Sequence, residues 1–498
     1  MPKYEAIIGM EVHVEANTKS KMFCSCKNNK GLDETPNTHI CPVCTAHPGT
    51  LPVPNKQALV QIARFGKALN CKLEEYTWFE RKSYFYPDLP KGYQITQYEK
   101  PMCYEGNMTI ETSKGEKNIR ITRIHMEEDT GKLTHITGDS NSYVDYNRAG
   151  IPLMELVTEP DIRDGEEARV FCEELQLILQ HLDISDADMS KGQMRCEVNI
   201  SLREVGTEVF GTKVEIKNLN SFKVVENCIN YEIERQTALL ENGEKIIQET
   251  RGWDDNKSET FSQRKKENAK DYRYFMEPDI PPFDTKEIVL EANQSMRELP
   301  FSKRKRFVSE YGLTKQQAET ITKDRYLANY YENTISELLE WFSINNQDIE
   351  NPLKSDKYLK LVKLATNYLL TELIRMNGEN RSDFVDPRIT AENYAEFITI
   401  VASGEISSSG AQTVLAEMFQ KGSDPSDIIE EKSLRQVNDA GALQSIVDQV
   451  IIDNEKVVND YKSGNQNSVQ FLVGQVMKTS RGSANPQIAR ELLEKTLN

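Results

Sequence analysis

The sequence predicts an α+β fold that changes character once along its length. From residue 1 to about 293, short segments alternate apolar and polar side chains with period two, separated by turn clusters and a few helices. From about 294 onward, apolar residues recur at helical spacing almost throughout. Pro281-Pro282 and Leu299-Pro300-Phe301 interrupt the pattern at the change, and a basic run, Lys303-Arg304-Lys305-Arg306, follows. The expected layout is a mixed or antiparallel sheet domain over 1–293, a helical domain over 294–388 and a helical tail domain over 389–498, the second boundary falling at Asp386-Pro387-Arg388. No internal repeat or low-complexity tract is visible.

Each element has a local reason. Ile8-Gly9-Met10-Glu11-Val12-His13-Val14-Glu15 alternates cleanly, so one strand face carries Glu11, His13 and Glu15 and the other Val12 and Val14. A helix is expected from Asp164, with Glu167 placed as in a capping box, burying Phe171, Leu175, Ile178 and Leu182. Residues 193–201 form a second strand with Arg195, Glu197, Asn199 and Ser201 on its polar face, and Lys213–Lys217 supplies a partner. Asn220 is placed to cap a helix that stops at Asn242-Gly243. The Ser-rich run Ser403-Gly404-Glu405-Ile406-Ser407-Ser408-Ser409-Gly410 lies among helices with no nearby base, so helix capping is its expected role.

Composition narrows the function classes. With 61 Lys+Arg against 78 Asp+Glu the formal charge is −17, which argues against a uniformly basic nucleic-acid binder. No run approaches the roughly 18 apolar residues of a membrane span. The start has neither signal-peptide nor transit-peptide character, so a cytoplasmic location with no membrane is expected.

Four of the nine cysteines pair up as Cys24-Ser25-Cys26 and Cys41-Pro42-Val43-Cys44, joined by a short turn-rich loop. Two close thiol pairs converge naturally on a tetrahedral Zn²⁺, and four thiolates leave no open position, so the site is expected to fold the loop rather than catalyse. Cys71, Cys103, Cys172, Cys196 and Cys228 are scattered and read as small buried apolar residues.

A strand face presenting Glu11, His13 and Glu15 offers hard ligands about 7 Å apart, and Arg123-Ile124-His125-Met126-Glu127-Glu128-Asp129 adds an acidic cluster. Oxygen ligands with one histidine favour Mg²⁺ or Mn²⁺, which points to phosphoryl transfer. Arg and Lys interleave with aromatics at Arg81–Asp88 and Asp271–Phe275, a pattern suited to stacking a base and holding phosphate. Neither a P-loop nor a G-x-G-x-x-G string occurs.

Several ordered strings then stop being generic: Ile8–Val14, Tyr84–Gln94, His125–Asp129, Lys217–Phe222, Asp271–Phe275 and Phe471–Lys478. Together they closely resemble the GatB family, the B subunits of tRNA-dependent amidotransferases. The resemblance implies a cradle domain that uses ATP and Mg²⁺ (or Mn²⁺) to phosphorylate the side-chain carboxylate of misacylated Glu-tRNA(Gln) or Asp-tRNA(Asn). Ammonia from an amidase (A) subunit then displaces phosphate, and a small C subunit completes a heterotrimer. A helical domain and a YqeY-like tail that holds the tRNA follow. The family's metal ligands map onto Glu11, His13, Glu128 and Glu197, and Lys82 matches a lysine at the ammonia-channel mouth. Arg81, Tyr84, Tyr86, Arg195, Lys217 and Arg273 are the expected ATP contacts. Lys478 and Arg481, in a tail stretch free of acids from Lys462 to Arg490, are the expected tRNA contacts.

Two other readings stand beside this one, a non-catalytic tRNA-binding scaffold and a free-standing amide ligase with its own glutaminase. No amidase-type Cys-His-Glu or Ser-Lys arrangement is apparent for the latter. A related archaeal family carries an inserted domain, for which the direct run from Asp284 into the helices near Ser302 leaves no room.

Overall fold

The computed structural model describes residues 3–29, 35–265, 271–347, 349–377, 384–436, 440–463, 465, 467–480 and 484–497. It divides into two compact units, Met1–Phe301 and Ser302–Asn498.

The first unit is built on β1 (Tyr4–Glu15), α1 (Lys56–Ala68), β2 (Lys72–Leu73), β3 (Tyr76–Thr77), β4 (Glu80–Ser83), β5 (Tyr93–Thr96), β6 (Cys103–Thr112) and β7 (Gly115–Glu128). It continues through β8 (Lys132–His135), β9 (Ser142–Asp145), β10 (Pro152–Thr158), α2 (Gly165–His181), β11 (Met194–Glu204), β12 (Val214–Leu219) and α3 (Phe222–Glu241). β13 (Glu249–Asp254), β14 (Glu259–Lys265), β15 (Phe275–Met276), β16 (Phe283–Asp284) and α4 (Lys286–Gln294) complete it. Nine strands join in the order β14-β13-β12-β11-β1-β10-β7-β6-β2. β12 and β13 run parallel and the other described ladders are antiparallel, so the sheet is mixed.

The period-two pattern decides which face is buried. Ile8, Met10, Val12 and Val14 of β1, Ile124 and Met126 of β7 and Met194, Cys196 and Val198 of β11 join one core with Phe65 of α1, Phe171 and Leu175 of α2 and Ile229 of α3. The helices therefore cover one sheet face, and the polar residues of the same strands are left on the other. Asp164 accepts from the Glu167 amide as expected, but the Glu167 carboxylate turns to the Arg163 amide and Lys117, so the capping box is half made. Ser221 caps α3 through the Val224 amide, one residue beyond the expected Asn220. Asn218, next to last in β12, takes a left-handed φ of 63°.

The second unit contains only helices among its described elements. α5 (Pro300–Tyr311), α6 (Lys315–Thr322), α7 (Arg325–Asn345), α8 (Asp356–Tyr368), a π-turn (Leu369–Leu373), α9 (Ile374–Asn377) and α10 (Ala391–Ser403) come first. α11 (Ser408–Lys421), α12 (Pro425–Glu431), α13 (Ala440–Asp453), α14 (Glu455–Lys462), α15 (Ser468–Thr479) and α16 (Pro486–Leu497) follow. One core group runs from Phe307 to Ile429 and joins Tyr330, Tyr358, Tyr394 and Phe397; another joins Leu443 to Leu497. The basic run is partly structural, since Lys303 and Arg306 both pair with Glu332. Gly404 ends α10 at φ 75° and Ser407 caps α11, as the Ser-rich run implied. No described helix is long and apolar enough to cross a membrane.

Candidate active site

The polar face of the large sheet concentrates its charge where β11, β1, β10 and β7 lie side by side. Register places Arg195 opposite His13, His13 opposite Glu155, and Glu155 opposite His125. Glu11 lies two residues from His13 and opposite Glu197. His13 Nε2 stands 3.4 Å from Glu155 Oε2 and 3.9 Å from Glu11 Oε1. His125 Nε2 stands 3.4 Å from the same Glu155 oxygen and 3.3 Å from Glu127 Oε1. Two overlapping ligand sets result, Glu11/His13/Glu155 and His125/Glu127/Glu155, each offering donor atoms within 4.8 Å of one another.

The electrostatics fit a cation. Burial pushes the Glu11 carboxyl up to about 7, and the charges of Glu155 and Glu197 add to that shift. Burial opposes the Glu155 carboxylate, yet His125 and His13 hold it well below the usual range. His125 rises to about 9 because Glu155 and Glu127 outweigh its burial. His125 Nδ1, Arg195 Nε and Asn199 Oδ1 are buried without a hydrogen-bond partner among the described residues, so polar capacity on this face is left unused. Hard carboxylate and imidazole donors on a strand face suit Mg²⁺ or Mn²⁺.

Basic groups frame the acids. Lys217 Nζ bonds Glu197 at 2.6 Å, and Arg195 bonds Asp129 at 2.9 Å. Lys82 Nζ lies 3.7 Å from Glu127 Oε1 and 5.4 Å from the centre of the Tyr272 ring. Around Lys82 the rings of Tyr86, Tyr84, Tyr272 and Tyr274 follow one another edge to face at 6.1–6.3 Å, and Tyr274 stacks on Tyr98 at 4.3 Å. Arg123 lies over Tyr98 and 3.9 Å from Glu155, closing the ring of groups.

Not every expected residue joins this cluster. Glu11, His13, Glu197, Arg195 and Lys217 share the sheet face, and Lys82, Tyr84 and Tyr86 border it. Glu128 does not: alternation along β7 turns it away from His125 and Glu127, where it bonds Lys91 at 2.6 Å and the Ile95 amide at 3.0 Å. There it lines a cavity of about 240 Å³ with Lys91, Tyr93, Cys24 and Cys44. Arg81 alternates away from Lys82 and grips Glu277 through two bonds of 2.7 and 2.8 Å. Arg273 is exposed, at a left-handed φ of 46°.

Glu155, His125 and Glu127 are the central members that sequence reasoning did not single out as ligands. Glu155 carried a signal, being a lone acid inside the apolar run Pro152-Leu153-Met154-Glu155-Leu156-Val157.

At a separate place, the sulfurs of Cys24, Cys26, Cys41 and Cys44 lie within 4.8 Å of one another, as the spacing implied. The Cys44 thiol is drawn down to about 4, chiefly by a hydrogen bond from Cys24, so thiolate character is built in. These donors fit a tetrahedral soft cation such as Zn²⁺. In the second unit Lys478 is exposed on α15, while Arg481 lies outside the described residues.

The model of the GatB/GatE catalytic domain matches residues 6–291, and that of the GatB domain matches residues 354–497. The chain is 46% identical over 501 residues to the B subunit of the aspartyl/glutamyl-tRNA(Asn/Gln) amidotransferase from Carboxydothermus hydrogenoformans, covering 100% of this chain and 99% of that one. It is 45% identical over 496 residues to the corresponding protein of Persephonella marina, covering 99% of this chain and 100% of that one. The corresponding protein of Brevibacillus brevis is 43% identical over 499 residues, with 100% of both chains covered.

Proposed function

Because the chain belongs to the GatB family of tRNA-dependent amidotransferase subunits, we propose that its sheet domain activates the side-chain carboxylate of misacylated Glu-tRNA(Gln) or Asp-tRNA(Asn). The observation that carries this reading is the row Arg195–His13–Glu155–His125 across four adjacent strands, with Glu11 and Glu197 beside it.

A carboxylate resists attack by ammonia because oxide is a poor leaving group. Transfer of the γ-phosphoryl group of ATP to a carboxylate oxygen releases ADP and gives an acyl phosphate. Ammonia then adds to the carbonyl carbon, phosphate leaves, and the amide remains. Glu11, His13 and Glu155, with Glu197 alongside, would hold Mg²⁺, which neutralises phosphate charge when bound. Lys217 and Arg195 stand at the acid row as cations for phosphate oxygens. Lys82, held charged by Glu127, sits under the tyrosine ring and orients a polar group arriving there. Tyr84, Tyr272 and Tyr274, half-buried around that point, limit its access to water, which favours survival of a hydrolysable acyl phosphate.

The remaining parts of the reading follow the family. An amidase subunit supplies the ammonia, a small C subunit completes the complex, and the whole acts as a carbon–nitrogen ligase with glutamine as donor in the cytoplasm. Residues 294–388 and 389–498 serve as helical and YqeY-like tail domains, the latter touching tRNA through Lys478 and Arg481. The four cysteines hold structural Zn²⁺.

The test is the assembled complex with Glu11→Ala. Transamidation driven by ATP is expected to vanish while glutaminase activity persists; wild-type transamidation at saturating Mg²⁺ contradicts the assignment. ATP hydrolysis stimulated by misacylated tRNA separates this role from that of a passive tRNA scaffold.

A further inference from the structure

Lys21 is completely buried, which is rare for a lysine. Its Nζ donates to the Tyr146 carbonyl at 3.1 Å and approaches Cys44 Sγ at 3.8 Å. Among the described residues no carboxylate lies within ion-pair distance of it. An ammonium removed from water needs an anion, and among the described residues the anionic group that its Nζ reaches is the Cys44 sulfur, with the Glu128 carboxylate, bonded to Lys91, further off.

The same lysine stands where two segments are strapped together. The Asn37 amide donates to Asp145 Oδ1 at 2.9 Å, the His39 amide to Asn147 Oδ1 at 2.8 Å, and Asn147 Nδ2 to the Thr35 carbonyl at 2.9 Å. Gly150, at φ 84°, adjoins both groups: a Cβ there would be in ordinary contact with Lys21 Cδ at 3.6 Å, Cys44 Cβ at 3.7 Å and Glu128 Oε2 at 3.9 Å. Its amide donates to the Asp129 carbonyl, and Asp129 in turn holds Arg195 of the acid row.

We propose that Lys21 is the resident counter-cation of a four-thiolate metal centre, and that the metal, through Lys21, locks residues 144–150 against the sheet. Binding of Zn²⁺ displaces the protons still on the four sulfurs to solvent and leaves a four-thiolate centre of charge 2−. The buried ammonium reduces that to 1− without solvent ions, and its second hydrogen bond carries the constraint to Tyr146. This rests on the four-cysteine reading above.

The test uses the full chain, with Zn²⁺ competed against a chromophoric chelator and Co²⁺ as a spectroscopic probe. In Lys21→Met the thiolate-to-Co²⁺ absorption is expected to remain while Zn²⁺ affinity falls at least tenfold. Amide exchange of residues 144–150 in that zinc-loaded variant should rise to the level of metal-stripped wild type. Unchanged affinity and exchange in Lys21→Met overturn the proposal. If that variant does not fold, wild type decides alone: exchange in 144–150 that is indifferent to stripping the metal also overturns it. Wild type that takes up no Co²⁺ with a thiolate spectrum would instead remove the four-cysteine reading itself.

Discussion

His13 and Glu155 face each other from neighbouring antiparallel strands, with Nε2 and Oε2 3.4 Å apart, and the same Glu155 oxygen lies 3.4 Å from His125. One carboxylate oxygen thus joins both halves of the cluster. Glu155→Gln keeps the shape and removes the charge. Transamidation is expected to drop by about 10²-fold or more with glutaminase unchanged. Steady-state assays of both half-reactions on the same preparation check this, and a variant within twofold of wild type contradicts it.

Glu127 and Glu128 are neighbours in sequence but serve opposite faces of β7. Double-mutant cycles in thermal unfolding should show Glu128→Gln coupled to Lys91→Met by about 1 kcal/mol or more, and uncoupled from His13→Gln. Glu127→Gln is expected to raise the Mg²⁺ concentration needed for half-maximal activity by about 10–100-fold. Coupling of Glu128 to His13 instead would place Glu128 among the ligands.

These two cases show what was legible in the sequence. The alternation of Ile8–Glu15 displays Glu11 and His13 on one face directly, because period two is a local property. The cysteine spacing is equally local, and the four sulfurs converge as expected. Glu155 was hidden because its importance comes from strand order: β10 lies between β1 and β7, and that adjacency is set by long-range pairing. The choice between Glu127 and Glu128 was not legible because a shift of one residue flips the face, and only the register Glu155↔His125 fixes it. The pairing of Arg81 with Glu277 was hidden for a like reason, since the two lie almost two hundred residues apart in sequence.

The half-buried Glu11 carboxyl, raised from 4.5 to about 7, gives a pH signature. In the metal-free chain the folded state holds this proton more tightly than the unfolded one. Its contribution to stability is therefore complete below about 4.5 and is lost as pH rises through about 7. A cation must displace that proton, so Mg²⁺ affinity should climb between pH 6 and 8 with close to one proton released. Isothermal titration in buffers of different ionisation enthalpy measures that proton; Glu11→Gln should abolish the dependence.

Lys478, exposed on α15, and Arg481, three residues further along the chain, are the proposed phosphate contacts in a chain of net charge −17. Lys478→Ala with Arg481→Ala should weaken tRNA binding and lower the slope of log affinity against log salt by about 1–2. An unchanged slope assigns the contact elsewhere.

The central claim is that the side-chain carboxylate is phosphorylated before ammonia arrives. Misacylated tRNA carrying ¹⁸O in that carboxylate tests it in one measurement on the assembled complex. Each amide formed should release one phosphate bearing one ¹⁸O atom. Phosphate free of label, with amidation proceeding normally, would contradict the account.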